Sequence, residues 1–273
     1  KANIQQNDIC AIGFTRGPGL LGSLLVGTSF AKSLAMSLGV PLIEVNHLQA
    51  HILAHFIDDA NPISPTFPFL CLTVSGGHTM IVLVKDYFEM EIIGKTIDDA
   101  AGEAFDKIGK IFDLDYPAGP IIDKLAKEGN PDAFQFNKPR MENYDYSFSG
   151  IKTSVLYFIQ KEVRKNPDFI KENLNDLCAS VQKSIIEILM NKLEKASVDL
   201  NIKDVAIAGG VSANSALRKA MEHNQEKLGW NIFIPKFEYT TDNAAMIAMV
   251  AKLKYERGEF TDIRTTATAK YDL

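Results

Sequence analysis

Three of the five histidines fall within nine positions, at His47, His51 and His55 in a stretch that opens Val45-Asn46-His47. On a helix, residues four apart share a face, so His47 and His51 can aim their imidazoles at one point. Neutral imidazoles so placed suit zinc or iron. The same spacing also fits a half-exposed helix whose histidines meet only solvent or backbone. Zinc-protease signatures need Glu directly after the first His as general base, and Leu48 stands there, which removes the base for peptide hydrolysis. Two ligands do not complete a site. Asp242, in Thr241-Asp242-Asn243, is the best third candidate. It lies at the mouth of an apolar helix, where an acid also serves as N-cap, and spacing alone leaves both roles open.

Two Gly-Gly turns come next. Thr73-Val74-Ser75-Gly76-Gly77-His78 lies between two strand-like runs, and Gly209-Gly210-Val211-Ser212-Ala213-Asn214 between a strand and a helix. Glycines let backbone amides approach phosphate oxygens, and a following helix N-terminus adds its dipole. A Gly-Gly pair also fits any hairpin, but two in one chain suggest a nucleotide clasped from both sides. Asp98, Asp99, Glu103 and Asp106 read as carboxylates of one helix over 98–112. They fit either a solvated acidic face or a group that accepts hydrogen bonds from ribose.

The elements that would position these groups interleave strands and helices, which is the α/β class. The patterns predict strands over 9–14, 41–45, 67–74, 79–84, 88–97, 204–208 and 231–235. They predict helices over 20–38, 47–56, 98–112, 150–165, 170–196, 214–227 and 242–257. Asn46 reads as the N-cap of the histidine helix. Residues 61–65 read as a proline-bearing loop, 117–120 as a Pro-Ala-Gly-Pro turn and 140–149 as a loop. Lys and Arg total 29 against 34 Asp and Glu, net −5, which excludes a general nucleic-acid-coating role. Three scattered cysteines match no ligand spacing and read as buried thiols in a reducing compartment. The apolar stretch 19–43 is interrupted by Ser23, Lys32 and several glycines, so a bilayer span is not expected. The polar start carries no secretory signal and begins at Lys1, so a cytoplasmic location and a missing upstream segment are expected.

These motifs together resemble the tRNA threonylcarbamoyladenosine transferases of the bacterial TsaD type. Matching stretches run from Arg16–Ser23 through His47/His51, Val74–Thr79, Asp98–Lys107, Asp115–Pro120, Phe148–Lys152 and Gly209–Asn214 to Thr241–Met246, in the family's order. The resemblance implies an actin/hexokinase-like (ASKHA) two-lobe α/β fold, its first lobe incomplete at the N-terminus. The division expected is 1–66 in the first lobe, 67–241 in a second lobe with a helical insertion, and 242–273 returning towards the first.

It further implies one divalent metal, iron or zinc, on His47, His51 and Asp242. Substrate contacts would come from Thr73, Val74, Ser75, Gly76, Gly77, Asp106, Gly119, Asp123 and Asn214. The implied reaction moves threonylcarbamoyl from threonylcarbamoyl-adenylate to the exocyclic amine of the adenosine beside the tRNA anticodon, releasing AMP. A heteromeric complex with a TsaB-like paralogue and a TsaE-like ATPase goes with it. Ala118 stands where the family usually has Gly. No residue presents itself as a covalent nucleophile, and the proton acceptor is unassigned. The rivals are a carbamoyltransferase with a non-tRNA acceptor and a non-catalytic scaffold paralogue, the latter disfavoured by the metal triad. Lys152, Lys161, Arg164 and Lys165 form a basic stretch that suits either tRNA or solvent.

Overall fold

The computed structural model describes residues 5–59, 64–139 and 141–273. Its elements in chain order are β1 (Ile12–Gly17), α1 (Leu21–Leu38), β2 (Leu42–Asn46), α2 (His47–Leu53), β3 (Phe69–Val74), β4 (Thr79–Asp86), β5 (Glu89–Lys95), α3 (Ala101–Ile111), α4 (Ala118–Ala126), α5 (Ser149–Val163), α6 (Phe169–Leu200), β6 (Asp204–Ala208), α7 (Ser215–Leu228), β7 (Asn231–Phe233) and α8 (Ala244–Glu256). They divide into two compact units, residues 1–64 with 241–273, and residues 65–240.

In the first unit β1 and β2 pair in parallel, joined by α1 as crossover. Parallel neighbours need such a connection, which explains why a long apolar helix sits between two short strands. By length and composition α1 is apolar enough to cross a membrane, at mean hydropathy 1.3. It packs against β1 through Thr28, Ala31 and Ala35, spaced three and four apart, while Val26, Phe30 and Met36 stay exposed. The first strand begins three residues later than the sequence pattern suggests, so Cys10 precedes it and is exposed rather than buried. α8 packs on α2, β1 and β2.

The second unit is a five-stranded sheet ordered β5-β4-β3-β6-β7. β3 pairs antiparallel with β4 and parallel with β6, so all six of its residues are buried. Its core joins Leu70, Leu72 and Ile207 of the sheet to Phe105 and Ile108 of α3, Tyr146, Phe148 and Leu189. Burial pushes the Cys71 and Cys178 thiols up to about 12, so both act as apolar filler.

Two local expectations fail here. The Pro-Ala-Gly-Pro segment is the first turn of α4, with Pro117 as N-cap and Pro120 in the first turn. Proline lacks only an N–H that a first turn leaves unpaired anyway, so it is tolerated there. The acidic helix begins at Ala101, leaving Asp98 and Asp99 ahead of it. Asp98 instead accepts hydrogen bonds from Ser147 Oγ (2.6 Å), Phe148 N (2.8 Å) and Ser149 Oγ (2.7 Å), tying down the start of α5. Of the loop expected over 61–65, residues 61–63 lie outside the described residues.

Candidate active site

Asn46 ends β2 and caps α2: its Oδ1 accepts from Leu48 N (2.9 Å) and Gln49 N (3.2 Å). That cap fixes the first turn, on which His47 sits, with His51 one turn on. Their rings meet edge to face at 4.8 Å. Asp242 reaches both: its Oδ1 lies 3.3 Å from His47 Nε2 and 3.2 Å from His51 Nε2. The N-cap role that competed for this residue belongs to its neighbour. Asn243 Oδ1 accepts from Met246 N at 2.9 Å, so the Asp242 carboxylate is released from the helix. His55 is buried in the turn after α2 and is not part of the group.

The ligand atoms of His47, His51 and Asp242 lie within 4.8 Å of one another. Ligands held at about 2.0–2.2 Å from a tetrahedral ion stand roughly 3.3–3.6 Å apart, so the carboxylate-to-imidazole separations fit the group. His51 is 3% exposed and its Nδ1 is buried with no hydrogen-bond partner among the described residues. Its Nε2 is therefore the polar atom through which the ring is satisfied. Hydrogen bonds from His47, then His51, hold the Asp242 carboxyl well below the usual carboxylate range and outweigh a smaller desolvation effect at this largely exposed side chain. Two borderline nitrogens and one hard oxygen are a donor set for a divalent first-row ion.

The second unit gathers the other candidates. Ser75 N donates to His78 O at 2.8 Å and closes the hairpin turn, leaving Gly76 and Gly77 exposed at its tip with no atom within 4 Å of where a Cβ would stand. Thr73 and Val74 lie below, fully buried in β3. Two glycines press on the base of this turn. A Cβ on Gly102 would fall 2.5 Å from Ser75 O, and one on Gly209, at φ +85°, 2.5 Å from Val74 O. The first amides of α3 are satisfied there: Ala101 N donates to Thr79 Oγ1 (2.9 Å) and Gly102 N to Ser75 O (3.3 Å).

A relay of carboxylates links the next elements. Asp106 Oδ1 accepts from Ala118 N at 2.8 Å, so α3 caps α4, the helix that carries Gly119. Ala118 has ordinary helical backbone, and its methyl occupies the space that Gly109 leaves open. Asp123, on α4, accepts from Ser215 N (3.1 Å) and Ser215 Oγ (2.7 Å) at the head of α7. Asn214 caps α7 through Ala216 N and Leu217 N, both at 3.0 Å, and donates to Gln182 Oε1 at 2.7 Å. The α7 amides expected to meet a phosphate are thus already bonded within the chain. Asp99 and Glu103 share Lys107, at 2.6 and 2.9 Å, and read as an ion-pair cluster rather than ligand acceptors. Gln182 had no sequence signal, being one polar residue in a long helix. Beside it a cavity of about 370 Å³ opens, lined in part by Lys127, Lys183, Ser215 and Lys219.

A model of the family described as "TsaD: tRNA N6-adenosine threonylcarbamoyltransferase" matches residues 1–249. The protein of that name from Riemerella anatipestifer is 84% identical over 273 residues, spanning 100% of this chain and 80% of the relative. That of Christiangramia forsetii is 60% identical over 271 residues, spanning 99% and 80%. That of Thermosipho africanus is 49% identical over 265 residues, spanning 96% and 77%. Among solved structures, full-length HypF in its phosphate- and nucleotide-bound form aligns with TM-score 0.61 at 13% identity, over 85% of this chain and 38% of HypF. T. kodakarensis HypF aligns with TM-score 0.59 at 15% identity, over 90% and 40%. These two establish the fold class alone, α/β of the actin/hexokinase-like (ASKHA) type.

Proposed function

The chain belongs to the tRNA N6-adenosine threonylcarbamoyltransferase family, and from that premise we propose how its two units divide the work. It is a transferase that modifies the N6 amine of adenosine in tRNA. The donor proposed is threonylcarbamoyl-adenylate, a mixed anhydride. The adenosine N6 attacks the carbamoyl carbon, the bond from that carbon to the phosphate oxygen breaks, AMP departs, and N6 gives up one proton. Because the donor is already activated, the protein's task is to orient it and to stabilise developing charge.

Thr73 to Gly77, Asp106, Gly119, Asp123 and Asn214 hold the adenylate in this reading. What supports it is the open tip at Gly76 and Gly77, together with the relay that fixes α4 and α7 around one another. Asp106 commits Oδ1 to Ala118, which leaves its second oxygen for a ribose or phosphate-bound water. His47, His51 and Asp242 would hold one divalent ion, iron or zinc. Such an ion supplies Lewis acidity and a fixed positive charge for phosphate or carbamoyl oxygens. A cytoplasmic location goes with a tRNA substrate. At net −5, tRNA affinity is expected to rest on partner subunits, a TsaB-like paralogue and a TsaE-like ATPase, and to fall steeply with salt. Lys165 is paired with Glu162 at 2.8 Å, which weakens the case for a tRNA patch on α5.

The observation that carries the reading is the convergence of His47, His51 and Asp242, with Asn243 taking the cap. The test is transfer of labelled threonylcarbamoyl from its adenylate to unmodified tRNA, with those partners present. Metal content is measured in parallel. His51→Ala and Asp242→Ala should each hold less than about 0.1 equivalent of metal and lose most transfer, since two ligands do not make a site. Full metal and wild-type transfer in both variants would falsify the assignment.

A further inference from the structure

The chain beyond α8 runs back along the small parallel sheet. Thr261 N donates to Leu42 O at 2.7 Å, and Glu44 N donates to Thr261 Oγ1 at 2.7 Å. Thr268 N donates to Arg16 O at 2.9 Å, and Gly19 N to Ala269 O at 3.3 Å. The Tyr271 ring lies 4.8 Å from the Arg16 guanidinium, and its hydroxyl donates to Glu44 Oε1 at 2.9 Å. Glu44 is itself paired with Arg16 at 2.9 Å. The path ends on Asn46, whose Nδ2 donates to Tyr271 O (3.3 Å) and Asp272 O (2.8 Å).

The Asn46 side chain is therefore used on both sides. Two carbonyls take its amide protons, and its oxygen accepts the Leu48 and Gln49 amides in the first turn of α2. Turning the amide over would set oxygen against two carbonyls and nitrogen against two N–H groups, so only one orientation works. The residue is 6% exposed, which makes an unmet partner costly. It immediately precedes His47 and sets the helix that presents both imidazoles.

We propose that Asn46 is a positioning residue for the metal centre, through which the segment Thr268–Asp272 fixes the angle at which α2 presents His47 and His51 to Asp242. This rests on reading that triad as a metal site. The segment lies beyond residue 249, where the family match ends.

The test uses the full chain and cobalt(II) as a spectroscopic probe, with affinity from chelator competition. Asn46→Ser keeps an oxygen able to cap α2 but cannot reach the tail carbonyls. Tyr271→Ala releases the tail from Arg16 and Glu44. Both should bind cobalt roughly 10–100-fold more weakly, as loss of outer-shell support does, with changed visible bands. Thr261→Val loosens the same tail at β2 without touching Asn46. It should lower the melting midpoint of the metal-free chain yet keep wild-type cobalt affinity. Wild-type affinity and spectrum in Asn46→Ser would overturn the proposal, and so would equal weakening in Thr261→Val. If the unaltered chain bound no cobalt, the triad reading itself would fall, and this inference with it.

Discussion

Gly102→Ala is the sharpest probe of the adenylate-loop reading. The added Cβ would stand 2.5 Å from Ser75 O, 2.8 Å from Gly76 Cα and 2.9 Å from Ser75 C. All three are backbone atoms, so no side chain can rotate away, and the turn itself must move. Overpacking of this kind costs about 1–3 kcal/mol, with an all-backbone clash at the upper end. Gly102 lies in α3, where alanine returns about 1 kcal/mol of helix propensity. The net is roughly 2 kcal/mol of destabilisation, or about 4–8 °C in melting midpoint for a unit of this size. Pushing Ser75 O outward also breaks its bond from Gly102 N, so AMP affinity should fall in the same variant. Gly76→Ala, with open space around its Cβ position, is the matched control for stability. Scanning calorimetry and equilibrium AMP binding read the two effects separately. If Gly102→Ala melted with wild type and bound AMP as tightly as wild type, the packing of α3 on the turn would not shape the site.

Asn243→Ala removes the α8 cap, at a cost of about 1 kcal/mol, and frees the Met246 amide to compete for the Asp242 carboxylate. Metal affinity should fall, and Asn243→Ser should restore it. Asn214→Ala loses the α7 cap and leaves Gln182 Oε1 short of a donor, costing about 2 kcal/mol. It should weaken AMP binding and leave metal content unchanged, whereas parallel loss of both would indicate general unfolding. Burial works against ionisation of Asp98, but hydrogen bonds from Ser147, Phe148 and Ser149 outweigh it and hold the carboxyl below its usual range. A depressed folded value means that its contribution is present above the unfolded value, about 3.9, and is lost as pH falls through the lower folded one. Asp98→Asn should therefore cost about 1 kcal/mol at pH 7, a modest figure because water screens the exposed group. In urea melts that gap should narrow as pH falls below about 3.9, and a gap that stayed constant on acidification would contradict the assignment.

What the sequence made legible was local. The α2 cap at Asn46, the His47/His51 spacing and strand β6 all follow from residues within one turn or one pleat of each other. Helix α4 escaped because Pro-Ala-Gly-Pro carries the same composition whether it makes a turn or a helix start, and only the Asp106 bond to Ala118 N decides between them. The partners of Asn214, Asp123 and Asn46 also escaped. Gln182, Ser215 and the Tyr271 carbonyl lie far off in the chain, and no periodicity encodes such pairs. Asp242 fits two roles by sequence, and the bond from Met246 N to Asn243 Oδ1 gives the cap to its neighbour.

The first unit is assembled from both ends of the chain, with the whole second unit inserted between. His47 and Asp242 are therefore nearly two hundred residues apart along the polypeptide. At ribosomal rates of about 5–20 residues per second, the histidines wait some 10–40 s for their carboxylate partner to be made. During that interval the inserted unit can fold by itself, replacing a floppy loop closure with one between the two ends of a compact body. Capture of the proposed ion by this triad would thus be a late event in the life of the nascent chain, since translation arrested within α7 leaves two imidazoles without the Asp242 carboxylate.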